Sequence, residues 1–271
     1  MKVTAAGMML LLGVVLGSAR AALAQGATRT LTGIVVDSAA HKPISQAAIY
    51  VGRTATEQHT ANDGTFRVTA TEDALLLMIR RPGYIPAVVP VPGDTTGAEM
   101  DLGTTNLRRL KTDADRAAAQ VLDIAVYPEL ARFYDHKAGY RQGLFWTPDD
   151  LERVGGSLFT LIRQKPGFEY ICFRNRKGET DCGMQPNRGP TSIMNPRPTS
   201  AEREPCQLEV WTDGLRSQRT LDDVLVREVL AVEAYRNLNP MPAELAGSPC
   251  ATIVLWMKET GPGLPPSRFP G

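Results

Sequence analysis

From Thr30 to Pro92 the chain is cut into short β-rich runs, each closed by turn residues before it reaches the length of an ordinary helix. Residues 31–36 end at Asp37-Ser38 and a Lys42-Pro43 turn, and residues 47–51 follow. Asn62-Asp63-Gly64 supplies a tight turn with positive φ, after which Thr65-Phe66-Arg67-Val68 sets Phe66 and Val68 on one face. The unbroken apolar run 75–79 fits a strand covered on both faces, and Gly83-Tyr84 turns the chain into residues 87–91. Several short strands at this spacing predict a sandwich of two sheets. Asp37, Asp63 and Gly64 are expected to do turn chemistry rather than to bind calcium, and Tyr84 to be a packing ring.

Four motifs of this stretch, taken together, resemble the carboxypeptidase regulatory-like domain, a prealbumin-like fold. They are G-x-V-x-D from Gly33, K-P-I-x-x-A-x-I-x-V from Lys42, N-D-G-x-F from Asn62 and R-x-G-Y from Arg81. The resemblance implies a non-catalytic β-sandwich over residues 28–103, of a kind often fused to other extracytoplasmic domains, outer-membrane receptors of the TonB-dependent type included.

Composition then shifts to Ala, Asp, Arg and Leu. Residues 104–143 read as a helical connector, capped at Thr112 or Asp113, interrupted before Pro128 and resumed through Leu130-Ala131-Arg132-Phe133. Its expected role is a spacer that packs the flanking domains together. Behind it, Thr147-Pro148-Asp149-Asp150 is a helix start, with acidic groups at the positive end of the helix dipole. An apolar face through Leu158, Phe159, Leu161 and Ile162 closes at Pro166-Gly167. Strands are expected over 168–172, 207–211, 229–235 and 252–257, with a short helix over 221–225.

In this order the segments FWTPDDLERV, LIRQKPGF, LEVWTDG, VLAVEAYRN and PCATIVLWMK look like the plug domain of TonB-dependent receptors. The resemblance assigns residues 144–259 to a plug-like α/β domain and residues 260–271 to a flexible tail. It departs from the plug pattern in the long Pro/Asn/Arg-rich stretch between Cys182 and Cys206 and in the cysteines. No barrel is expected in this chain, since each barrel strand needs roughly nine to eleven alternating residues. The fold class expected is therefore α+β: an N-terminal seven-stranded-type β-sandwich, a helical connector and a C-terminal plug-like α/β domain.

Residues 1–24 carry Lys2, an apolar stretch from Met8 to Leu16 and Ala22-Leu23-Ala24, the pattern of a secretory signal cleaved between Ala24 and Gln25. The apolar core is shorter than the roughly 18 residues a spanning helix needs, so no transmembrane segment is expected in the exported chain. The expected location is the periplasm or the periplasmic face of the outer membrane. In an exported chain the four cysteines, Cys172, Cys182, Cys206 and Cys250, point to disulfides. Three pairings are open, and Asn175-Arg176-Lys177-Gly178 favours Cys172 with Cys182, which leaves Cys206 with Cys250.

A net charge of +1 without runs of like charge gives no electrostatic case for nucleic acid. His41, His59 and His136, placed in a turn, a loop and a helix end, form no metalloprotease spacing, and no Gly-x-Ser-x-Gly or phosphate loop is present. The expectation is a non-enzyme without metal or cofactor. Trp211 and Trp256 are expected as core rings. Arg188, Arg197 and Arg203 make the cysteine-framed loop the candidate ligand site. The function expected is an interaction or accessory module for a separate outer-membrane barrel or envelope complex; the alternative is a stand-alone binder of a small molecule, peptide or glycan.

Overall fold

The computed structural model describes residues 28–53, 57–71, 74–93, 98–174, 180–186, 208–236, 240–245 and 251–258, with the backbone alone given for 170–174 and 180–186. The signal segment with Ala24 and Gln25, Cys206, Cys250, Arg188, Arg197, Arg203 and the tail 260–271 lie outside the described residues. The architecture is mixed α+β.

The first seven strands are β1 (Thr28–Asp37), β2 (Ala48–Val51), β3 (Glu57–His59), β4 (Thr65–Thr71), β5 (Leu76–Arg80), β6 (Ala87–Pro90) and β7 (Glu99–Leu107). They form a three-stranded sheet, β4-β1-β7, and a four-stranded sheet, β3-β2-β5-β6. Leu31, Val35, Phe66, Val68 and Leu107 of the smaller sheet share one apolar cluster with Ile49, Leu77 and Ile79 of the larger. Strand β4 alternates between exposed and buried along its length, which puts Phe66 and Val68 on the core face as the period-2 pattern requires.

The expected boundary after Gly103 falls inside β7, which pairs parallel with β1 and continues to Leu107. This strand is the edge of its sheet and mostly solvated, so its sequence has little need of apolar residues and carries no strong strand pattern. His59, expected in a loop, pairs with Ala48 at the end of β3.

Helices α1 (Asp113–Val126) and α2 (Leu130–Gly139) follow. Thr112 caps α1: its hydroxyl accepts from the Asp115 N–H, while the Asp115 carboxylate accepts from the Thr112 N–H. The remaining elements are β8 (Leu144–Trp146), α3 (Pro148–Leu151), α4 (Leu158–Arg163), β9 (Phe168–Arg174), β10 (Thr180–Pro186), β11 (Glu209–Thr212), β12 (Leu215–Ser217), β13 (Val229–Arg236) and β14 (Ala251–Met257). The helix predicted from Thr147 comes as two short ones, because Gly155-Gly156, the latter at φ 98°, breaks the path and Ser157 starts α4 with its own side-chain cap. Residues 221–223 make a 3-10 turn rather than an α-helix.

Strands β12-β11-β14-β13-β8 form a mixed five-stranded sheet, and β9-β10 a separate hairpin. Asp213 and Gly214, both at positive φ (51° and 82°), make the two-residue turn between β11 and β12. Alternation along β14 divides its side chains between two clusters. Ile253 and Leu255 pack with α3, α4, Phe168 and Trp146. Val254 and Trp256 pack with Val126, Leu130 and Phe133 of the helices and with Ala48, Tyr50 and Met78 of the larger N-terminal sheet.

That second cluster sets the connector's helices between the flanking sheets. It supplies the apolar layer through which β2 and β5 meet β13 and β14. Strand β5 shows why its sequence has no polar face: Leu77 and Ile79 point into the N-terminal core while Met78 points into the shared cluster. No helix among the described residues is long and apolar enough to cross a membrane.

Candidate functional site

Two buried polar groupings lie in the shared layer. The first surrounds Arg80, the last residue of β5. Its guanidinium donates to Asp123 of α1 and to Glu152 just beyond α3, and all three side chains are at most one-tenth exposed. Burial opposes charge on Arg80, yet the two carboxylates hold its pKa well above the ordinary value. Burial raises Glu152 despite the neighbouring Arg80. Tyr134 Oη donates to Asp123 at 2.7 Å, and desolvation followed by that carboxylate pushes the phenol pKa up. The Gly83 N–H donates to Asp149 at 2.9 Å, a second tie between the β5–β6 turn and α3.

The second grouping is built on Glu233 of β13, which is fully buried. Its carboxylate accepts from Tyr235 Oη at 2.7 Å and from Trp256 Nε1 at 2.8 Å, and lies 2.9 Å from His136 Nδ1. The other ring nitrogen of His136 is 3.3 Å from Glu244. Burial favours the neutral imidazole, but Glu233 and then Glu244 outweigh it and raise the His136 pKa. His136, Tyr235 and Trp256 thus all meet on the Glu233 carboxylate.

Beside the Arg80 grouping lies a cavity of about 390 Å³, bounded by β2, β3 and β5 on one side and by α3, the 154–156 turn and the start of β13 on the other. Tyr50, Tyr127, Glu57, Arg80, Glu152 and Lys258 supply its polar lining, and Leu151, Val154, Val226, Val229 and Leu230 its apolar wall. Lys258, only 8% exposed, stands at the end of β14, fixed by its own N–H donating to the Glu228 carbonyl. Its Nζ donates to Tyr50 Oη at 3.1 Å and lies 4.3 Å from the centre of the Tyr50 ring. Desolvation lowers the Lys258 pKa and raises that of Tyr50. Tyr127, also desolvated, is pushed up to about 12.

Asp37 and Asp63 do turn chemistry. Asp37 Oδ1 accepts from the N–H groups of Ala39 and Ala40, and Oδ2 from Tyr84 Oη and Arg109 Nε. The Arg109 hydrogen bond, followed by those backbone bonds, holds the Asp37 pKa far below the ordinary carboxylate range. Tyr84 packs under the Arg109 guanidinium, as a turn-packing ring would. Asp150 and Asp223 complete capping boxes with Thr147 and Thr220. Trp256 is a core ring, whereas Trp211 is half-buried at the edge of the shared cluster.

The backbone register of β9 and β10 places Cys172 directly opposite Cys182. Among the described residues no group of three or more His, Cys, Asp or Glu could hold a metal ion. The cavity escaped sequence reading because its parts come from seven separated stretches. A local signal was Lys258, a charge at the end of the apolar run 251–257. Comparison with protein-family models gives no match, and comparison with curated proteins gives none.

Proposed function

We propose that the chain is a non-enzymatic, exported envelope protein, an interaction or accessory module related to TonB-dependent outer-membrane transport. Its first seven strands are read as a carboxypeptidase regulatory-like β-sandwich and residues 144–259 as a plug-like domain. The observation that carries this reading is the order of elements from β8 to β14. The motifs quoted for the plug resemblance fall in sequence on β8 and α3, on α4 leading into β9, on β11 ending in the Asp213-Gly214 turn, on β13 and on β14. Cross-linking of the tagged protein in its native envelope, followed by mass spectrometry, tests it. Capture of an outer-membrane barrel or of an inner-membrane energising protein is expected; a clean monomer overturns it.

A second reading, a stand-alone binder of a small ligand, is favoured by the cavity between β2, α3 and β13. The two are compatible if the cavity ligand is carried to, or sensed beside, a barrel.

A further inference from the structure

We propose that the cavity takes a small monocarboxylic acid, its carboxylate held by Lys258 and Tyr50 and its apolar body laid against Leu151, Val154, Val226, Val229 and Leu230. The inference rests on the reading of the cavity as a ligand site and names the ligand's class.

The argument begins with donors. An ammonium group carries three N–H donors and no acceptor, and a phenol carries one O–H. Among the described residues, the hydrogen bond to Tyr50 Oη accounts for one Lys258 donor, and Tyr50 Oη has no acceptor of its own. Two ammonium N–H groups and the phenolic O–H are therefore left, among the described residues, without an acceptor at hydrogen-bond distance. A carboxylate, which accepts on two oxygens, fits that set.

The other charges of the lining are already occupied. Arg80 donates to Asp123 and to Glu152 at hydrogen-bond distance, while Lys258 adds attraction on Glu152 through space. Glu57 lies 2.8 Å from His59 Nε2. Arg227 stands exposed at the rim and adds positive potential at the entrance. The cation left without a carboxylate partner at hydrogen-bond distance is Lys258, and it is held in place by the backbone bond to Glu228. Glu57 and Glu152 favour the ammonium through space without reaching hydrogen-bond distance, burial still disfavours its charge, and an entering carboxylate offsets that desolvation. The aliphatic side chains of the lining suit an alkyl or aryl body and not a sugar.

The test uses 3-phenylpropionate, its amide 3-phenylpropanamide and 3-phenylpropylamine, titrated by calorimetry into the purified protein. The acid is expected to bind at least about tenfold more tightly than the amide, the factor that one charge-assisted contact supplies. Lys258→Met should bring the acid-to-amide ratio close to one while leaving the circular dichroism spectrum unchanged. Tyr50→Phe, which keeps the ring and removes the hydroxyl, should lower the ratio several-fold and guards against a folding defect in the first variant. Equal binding of acid and amide, or a ratio that survives both substitutions, overturns the carboxylate assignment and leaves the cavity as a site for another class. Absence of binding by all three probes overturns the ligand-site reading with it.

Discussion

Arg80 and Asp123 face each other across the junction between β5 and α1, with side chains 8% and 4% exposed. A buried ion pair is not itself strong evidence of stability, because desolvation of both groups offsets most of their attraction. Losing one partner is different. Arg80→Met would leave Asp123 and Glu152 as two buried carboxylates, and should cost about 3–5 kcal/mol in urea denaturation. Adding Asp123→Asn and Glu152→Gln should restore part of that loss; a single variant as stable as wild type would mean that water reaches the pair.

The shared cluster makes a second expectation. Phe133 of α2 is fully buried and stacks edge-on against Tyr134 and Phe145. Phe133→Ala should cost about 3–5 kcal/mol. Because its cluster joins the N-terminal sheet to β13 and β14, calorimetry should show one transition moved as a whole. Two separable transitions, only one of them moved, would mean that the cluster does not couple the two sheets.

Much of this fold is legible locally. The turn residues Asn62-Asp63-Gly64 and Asp213-Gly214, the caps Thr112 and Thr147, and the alternation at Phe66 and Val68 each express a rule of backbone or period that needs no distant partner. The edge strand β7 is not legible, since a strand solvated along most of its length leaves no apolar signature. Nor are the Arg80 and Glu233 groupings, which join Arg80 to Glu152 over 72 positions of the chain and Glu233 to His136 over 97. A charge at the end of an apolar strand, as at Arg80 and Lys258, was the local hint: it marks the point where a strand leaves one core and meets another segment.

Gly64 tests the N-terminal turn. At φ 78°, an added Cβ would stand 2.6 Å from the Val35 carbonyl oxygen. Gly64→Ala therefore combines left-handed backbone strain with a clash against main chain, and should cost on the order of 1–3 kcal/mol. A loss below about 0.5 kcal/mol, the size of an ordinary surface change, would show that the turn relaxes freely.

The opposed backbone positions of Cys172 and Cys182 suit a cross-strand disulfide. Thiol labelling of the oxidised protein should find essentially no free cysteine, and peptide mapping should recover these two linked. Cys250→Ser should cost on the order of 2–5 kcal/mol if Cys206 is its partner. Unchanged stability, or a mapped Cys172–Cys206 link, would refute that pairing.

His136 gives the pH dependence. The groups facing it are Glu233, Glu244 and the ring of Tyr140, with Tyr235 and Trp256 behind on the Glu233 carboxylate. A folded-state pKa above the ordinary 6.5 means that the folded protein binds more protons than the unfolded chain in that window. The stabilisation is thus fully present below 6.5 and is lost as pH rises through the raised folded value. The stability gap between wild type and His136→Gln should be widest near pH ~5.5 and shrink as the solution becomes alkaline, and the ring should titrate by NMR above its unfolded value. A gap that widens with rising pH, or a ring that titrates below 6.5, would mean that desolvation outweighs the two glutamates.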